Sequence, residues 1–179
     1  MRRSIVPGFV AVSMMGFILV AQLAAQEPPP KHDSLKVLEK FAGTWDQEIS
    51  LKQGPWAPEA KTGTGTMTAK WTLDGRFMEI RSQSKLDGTQ GLTLMGHDMN
   101  TDSLRAWSFH SHGYNYIGTG TWDEKTRTIN WSGELGQGMK MTSFDRFIDD
   151  DNREWQFVIK DDAGQVVFEI SGKSRRQKK

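Results

Sequence analysis

The sequence contains no cysteine among its 179 residues. Disulfide bonds, thiol nucleophiles and thiolate metal ligands are therefore excluded. It also lacks a Gly-x-Ser-x-Gly motif, and no serine lies in a context that would activate it for nucleophilic hydrolysis. Stability must come from a hydrophobic core, which a domain of about 150 residues can bury without covalent cross-links.

The sequence also has little excess charge, with 23 Lys and Arg residues against 22 Asp and Glu residues. Several of the basic residues are clustered at 173–179, so the remainder of the chain is mildly acidic. An acidic body lacks the basic face that supplies most nucleic-acid affinity, and we expect no nucleic-acid binding. We interpret residues 173–179 as a basic disordered tail, because a run of like charge at a terminus is usually solvated.

The first 25 residues have the organisation of an export signal. Arg2 and Arg3 precede an apolar run, and small residues follow at 21–25. This pattern predicts a signal peptide over residues 1–25 and an exported protein, periplasmic or secreted, with no stable membrane insertion after cleavage. The alternative is an uncleaved N-terminal membrane anchor, since the apolar segment is just long enough to span a bilayer.

A Pro-rich spacer and a short helix are predicted next. Residues 26–32 form the spacer, in which we expect His32 to be exposed to solvent. Leu35, Leu38 and Phe41 then recur at intervals of three residues, which predicts a helix of one to two turns that ends before Gly43.

From Thr44 onward the hydrophobic period changes to two, and turn residues separate the apolar segments at regular intervals. Short strands at this spacing are typical of an all-β sandwich or barrel. No segment between them is long enough for a crossover helix, so the strands should be antiparallel and connected in sequence order. Closure removes exposed sheet edges, and we therefore predict an up-and-down (meander) β-barrel of about 8–10 strands over residues 33–172. The predicted strands are 44–52, 61–71, 76–84, 91–98, 104–111, 114–122, 127–134, 138–147, 153–160 and 165–172.

Five short motifs support a more specific resemblance. In order, they are the Leu-rich helix with Gly43-Thr44-Trp45, then Leu73-Asp74-Gly75-Arg76-Phe77, Gly96-His97-Asp98, Trp107 and Gly118-Thr119-Gly120-Thr121. With these motifs the chain resembles the lipocalin-like barrels of the calycin superfamily, and most closely an uncharacterised bacterial family of lipocalin-like domains. The resemblance implies a barrel but no established activity. His97 stands where that family has tyrosine, and Phe109 where it has aspartate.

The barrel interior is the predicted binding site, for a small hydrophobic or amphipathic molecule. Arg76 shares strand parity with Met78, which predicts that both face inward. Arg76 would then meet a ligand carboxylate or an acidic side chain, or else cover Trp45, which we expect to close the base of the barrel beneath the helix. The other candidate ligand-binding residues are aromatic or carry imidazole: His97, Trp107, His110, His112, Tyr114, Tyr116 and Trp131.

Two alternatives to a binding protein remain. No cofactor is predicted, and we expect no catalytic activity. However, His110 and His112 are two residues apart, a spacing that places both side chains on one face of a strand and suits a metal. The same pair keeps a metal- or haem-dependent enzyme as one alternative. The other is an envelope interaction or structural domain whose barrel is filled by its own side chains.

Overall fold

The structure, a computed structural model, describes residues 30–178, which from Lys31 onward belong to one compact unit. The predicted signal peptide and most of the spacer lie outside the described residues. None of the helical segments within residues 30–178 has the length and apolar character that a membrane-spanning helix requires. The elements are a 3-10 helix at Asp33–Phe41 and strands β1 (Gly43–Leu51), β2 (Lys61–Thr72), β3 (Phe77–Ser84), β4 (Gln90–Asp98), β5 (Ser103–His110), β6 (Asn115–Asp123), β7 (Thr128–Gly136), β8 (Met139–Phe147), β9 (Asn152–Lys160) and β10 (Val166–Arg176).

The ten strands form one closed antiparallel barrel, in which each strand pairs with its neighbours in sequence. The barrel closes where β1 pairs with β10, from Trp45 opposite Arg176 to Leu51 opposite Ile170. This architecture confirms the predicted meander barrel with a short N-terminal helix. Closure leaves no edge strand, so every strand has hydrogen-bonded partners on both sides.

The 3-10 helix covers one end of the barrel. A 3-10 helix has three residues per turn, so the interval of three in the sequence places Leu35, Leu38 and Phe41 on one side of it. All three side chains are buried and belong to the main hydrophobic cluster. We call the half of the barrel beneath this helix the helix half and the other half the open half.

The Gly43-Thr44-Trp45 motif joins the helix to the barrel. Gly43 has a φ of +118°, a conformation that side-chain-bearing residues rarely adopt. Trp45 is fully buried, and its Nε1 donates a hydrogen bond to the Phe41 carbonyl oxygen at 2.8 Å. The Arg176 guanidinium lies 4.2 Å from the centre of the Trp45 ring and donates to the Ala42 carbonyl oxygen. The motif therefore fixes the helix over the end of the barrel.

The predicted disordered tail is wrong for its first four residues. Strand β10 continues to Arg176, and Lys173 to Arg176 pair with Glu48 to Trp45 of β1. Ser174 is 3% exposed, and Gln177 also contacts β1 through a bond from its backbone N–H to the Thr44 carbonyl oxygen. In the strand, Ser174 and Arg176 face inward, and Lys173 and Arg175 face outward. This alternation can be recognised only when the partner strand is known. From the sequence alone, the segment therefore resembled a solvated charged end.

Candidate functional site

The two halves of the barrel interior differ in how completely they are filled. Cross-strand partners share a face, so the pairing registers identify the inward side chains. In the helix half, Phe41, Trp45 and Phe147 are at most 2% exposed. In the open half, the inward aromatic residues Tyr116 and Phe157 are only half-buried. Solvent therefore reaches inward side chains of the open half but is excluded from the core beneath the helix.

A buried ion pair crosses from β8 to β9 in the helix half. Arg153 Nη1 donates to Asp145 Oδ1 at 2.5 Å, and the two residues are 4% and 7% exposed. Trp131 Nε1 donates to the second carboxylate oxygen of Asp145 at 2.9 Å. Burial raises the pKa of Asp145 and lowers the pKa of Arg153, and their mutual attraction opposes both shifts. The pair thus brings no net charge into the interior.

Two inward N–H donors, one on Arg153 itself and one beside the pair, have no acceptor among residues 30–178. They are Arg153 Nε and Trp155 Nε1, which lie two residues apart on the inner face of β9. The Trp155 ring packs against Gly172 of β10, where a side-chain carbon would lie 2.6 Å from the ring. A buried donor without an acceptor costs about 1–3 kcal/mol. These two atoms therefore mark a place where a hydrogen-bond acceptor would be stabilised.

The open half contains a cluster of neutral polar side chains, formed by Thr93, Ser108, His110 and Tyr116. The hydroxyls of Thr93 and Ser108 are 2.9 Å apart, and Ser108 is 2% exposed. The ring centroids of His110 and Tyr116 are 5.7 Å apart in a stacked arrangement. We call these four residues the polar cluster.

Aromatic contacts connect the polar cluster to the far wall of the barrel. The rings of Tyr116 on β6 and Phe157 on β9 have centroids 5.2 Å apart, although two strands separate them in the sheet. Phe157 in turn meets Phe168 of β10 at 6.4 Å. A row of aromatic side chains therefore spans the interior of the open half.

The titratable members of the polar cluster are held neutral. Burial lowers the pKa of His110 below its ordinary value, and the charge of His112 lowers it further. Burial raises the pKa of the Tyr116 phenol, while its hydrogen bond with Ser108 acts in the opposite direction. Neutral imidazole and phenol each provide a hydrogen-bond donor and an acceptor.

The structure separates the residues that the sequence grouped into one site. Met78 and Trp131 are buried in the core of the helix half, whereas His110 and Tyr116 belong to the polar cluster. Trp107 lies on the outer face of β5, where it contacts Phe77 and pairs with Leu94 and Ile117. It does not line the interior, because the inward positions of β5 are Leu104, Ala106, Ser108 and His110.

The remaining candidates lie in turns or at the helix end. Strand β5 ends at His110, so His112 and Tyr114 lie in the exposed β5–β6 turn. The predicted common face of His110 and His112 is therefore wrong. Arg76 is half-buried in the turn before β3, and Arg153 and Arg176 lie over Trp45. His97 stacks on His32 at 3.8 Å, and His32 is exposed to solvent as predicted.

Several interior residues were missed from the sequence. Asp145 and Arg153 could have been predicted as an interior ion pair. Each lies at an inward position of a strand whose other inward residues are mostly apolar. Thr93 and Ser108 could not have been predicted, because small hydroxyl residues are equally common on either face of a strand.

A groove of about 550 Å³ lies on the outer surface, where β1, β2, β9 and β10 curve together. Its lining carries charges of both signs, including Asp46, Glu48, Lys173 and Arg175. Ligand sites are mostly apolar with a few converging polar groups, and the barrel interior fits that description better.

Comparison with solved structures places this barrel among several relatives at low sequence identity. Rv2717c from M. tuberculosis is 13% identical with a TM-score of 0.61, over 83% of this chain and 100% of that chain. The S-type phycobiliprotein lyase CPES from Guillardia theta is 14% identical with a TM-score of 0.54, over 80% and 92% of the two chains. A protein of unknown function from Nostoc punctiforme is 9% identical with a TM-score of 0.52, over 86% and 53%. At these identities the likeness shows the fold alone.

Sequence comparison adds the family. No curated protein matches the chain significantly. A family profile described as a protein of unknown function (DUF1579) matches residues 27–176, from the predicted spacer to the last residue of β10. The chain therefore belongs to the DUF1579 family.

Proposed function

We propose that this protein binds a small, uncharged amphipathic molecule in the open half of its barrel. The observation that carries the proposal is the half-buried state of the inward aromatic residues Tyr116, Phe157 and Phe168. Inward aromatic surface that water reaches is surface that an apolar ligand would cover. Full burial of such a side chain contributes about 1.5–3 kcal/mol, so covering several of them gives a useful affinity.

The charge balance of the interior supports an uncharged ligand. Asp145 neutralises Arg153, and the polar cluster consists of hydroxyl, phenol and neutral imidazole groups. A ligand carboxylate would lose its hydration without gaining an unpaired cation. A carbonyl or hydroxyl group would instead find donors in the polar cluster, and an acceptor that reaches deeper would satisfy Trp155 Nε1.

The location of this binding is also part of the proposal. The signal-like residues 1–25 support an exported protein that meets its ligand outside the cytoplasm. The proposed role is binding without catalysis.

The test uses N-phenyl-1-naphthylamine, an uncharged probe that becomes fluorescent in apolar sites. We expect saturable binding by the wild type, and weaker binding by Phe157→Ala and Tyr116→Ala. Phe109→Ala is the matched control, because Phe109 is an aromatic residue at 50% exposure on the outer face. Equal binding by all four proteins would show that the probe does not enter the barrel. In a separate experiment, native mass spectrometry of the protein isolated from its own host would identify a ligand that co-purifies with it.

A second candidate function, an interaction domain, is favoured by one feature of the outer surface. Phe109 and Ile117 are 50% and 48% exposed, and they flank Trp107 on the outer faces of β5 and β6. Contiguous exposed apolar surface of this kind is a common interaction site. Sedimentation of the wild type and Ile117→Lys tests self-association, and two monodisperse monomers would exclude it.

A further inference from the structure

We propose that His32, His97 and Asp102 form a binding site for a divalent transition metal such as Zn²⁺. The site lies at the edge of the helix half and is separate from the proposed ligand site. Within residues 30–178, it is the one group of at least three His, Cys, Asp or Glu residues with potential ligand atoms all within 4.8 Å of one another.

The three residues come from separate parts of the chain. His32 immediately precedes the 3-10 helix, His97 lies near the end of β4, and Asp102 lies in the β4–β5 turn. Because the fold has to bring these segments together, their proximity is a property of the tertiary structure and not of a local charge run. Two imidazoles and one carboxylate are a donor set that zinc accepts readily, with water in the fourth position.

The distances match the dimensions of such a site. His97 Nε2 and His32 Nε2 lie 3.0 Å and 3.9 Å from Asp102 Oδ1. Ligand atoms of a tetrahedral zinc ion with bonds of about 2.0–2.1 Å are separated by about 3.4 Å, between these two values. The His97 side chain is 9% exposed, while those of His32 and Asp102 are 50% and 85% exposed. One ligand is therefore fixed by the fold, and two remain free to adjust to the ion.

Before an ion binds, His32 Nδ1 is a hydrogen-bond acceptor, because it accepts from the Ser34 backbone N–H at 3.2 Å, and the proton of the neutral ring is therefore on Nε2. Coordination through Nε2 would move this proton to Nδ1 and replace the bond from the Ser34 N–H with one that Nδ1 donates to Ser34 Oγ, which lies 2.8 Å away. The His32 and His97 rings are stacked with an angle of 9° between their planes. His32 must turn out of this stacking to direct Nε2 toward a shared ion, and its half-exposed position gives it room to do so.

The site would connect the helix to the barrel. His32 immediately precedes the helix, while His97 and Asp102 belong to the sheet and its turn. An ion bound to all three would hold the helix against the barrel end and stabilise the folded state, since a ligand that prefers the native state raises its unfolding temperature.

The experiment is calorimetric titration of Zn²⁺ into untagged, metal-free protein, because a polyhistidine tag would bind the ion itself. We expect one ion per chain and an affinity that falls by more than about tenfold in Asp102→Asn and His97→Ala. Asp102 has a φ of +49°, a conformation that asparagine also tolerates, so Asp102→Asn preserves the turn. His112→Ala is the matched control, since it removes an exposed histidine outside the group.

The wild type offers a readout that needs no variant. Bound Cu²⁺ should show electron paramagnetic resonance couplings to two imidazole nitrogens. Zinc binding that is absent, or equally strong in Asp102→Asn and wild type, would overturn the proposal. Loss of zinc binding in His112→Ala would overturn it too, because the ion would then lie at the His110–His112 turn.

Discussion

The two halves of this barrel are built from the same strands but serve different purposes. The helix half contains Phe41, Trp45 and Phe147, which are at most 2% exposed, together with a buried ion pair, and it is covered by the helix. The open half contains Tyr116, Phe157 and Phe168, which face inward yet remain half-buried. The difference suggests that the helix half supplies most of the stability, which leaves the open half able to accept a ligand.

The largest effect is expected from cutting β10 within the helix half. Truncation after Gly172 removes Ser174 and Arg176, together with the cross-strand partners of Trp45 to Glu48. The barrel would lose closure at the end that holds its core, so we expect no cooperative thermal unfolding transition. Removal of Lys178 and Lys179 alone is the control and should leave the transition unchanged. A stable protein ending at Gly172 would mean that the helix half does not depend on closure.

The buried ion pair gives the next largest effect. Arg153→Met leaves the Asp145 carboxylate buried without its cation, and we expect a loss of about 3–5 kcal/mol in the free energy of unfolding. The double variant Asp145→Leu with Arg153→Met removes both charges and should recover part of that loss, because burial already opposes the charged form of each residue, although Trp131 Nε1 then loses its acceptor. Urea denaturation of the three proteins measures both quantities. Equal losses in the single and double variants would contradict a stabilisation that depends on charge pairing.

The smallest effect is a pH dependence in the open half. The pKa of His110 is lower in the folded protein than its ordinary value of about 6.5, so the unfolded chain binds a proton more readily. The free energy of unfolding should therefore fall as the pH drops below about 6.5, and it should stop falling once the pH is below the lowered pKa of His110. His110→Gln cannot titrate and should flatten this part of the curve of unfolding temperature against pH. His112→Gln provides the comparison for an exposed histidine, and an identical response of both variants would argue against burial as the cause.

Some of the interior could be read from the sequence and some could not. The interval of three in Leu35, Leu38 and Phe41 indicated which face of the helix is buried, because that face is determined by local geometry alone. In β5, apolar residues occur on both faces, with Leu104 and Ala106 alternating with Trp107 and Phe109. Alternation could not then decide the inward face, and the sequence-based site wrongly included Trp107.

By itself, the sequence determined the class of fold, a number of about 8–10 strands with their approximate limits, and the helix with its Gly43-Thr44-Trp45 junction. These features depend on hydrophobic period and turn chemistry, which act over a few residues. Tertiary structure alone decided which strands meet across the interior, that Arg153 pairs with Asp145, that Arg176 covers Trp45, and that His32 reaches His97. Those contacts depend on barrel closure and strand register, which bring together residues far apart in the chain and leave no periodic trace in the sequence.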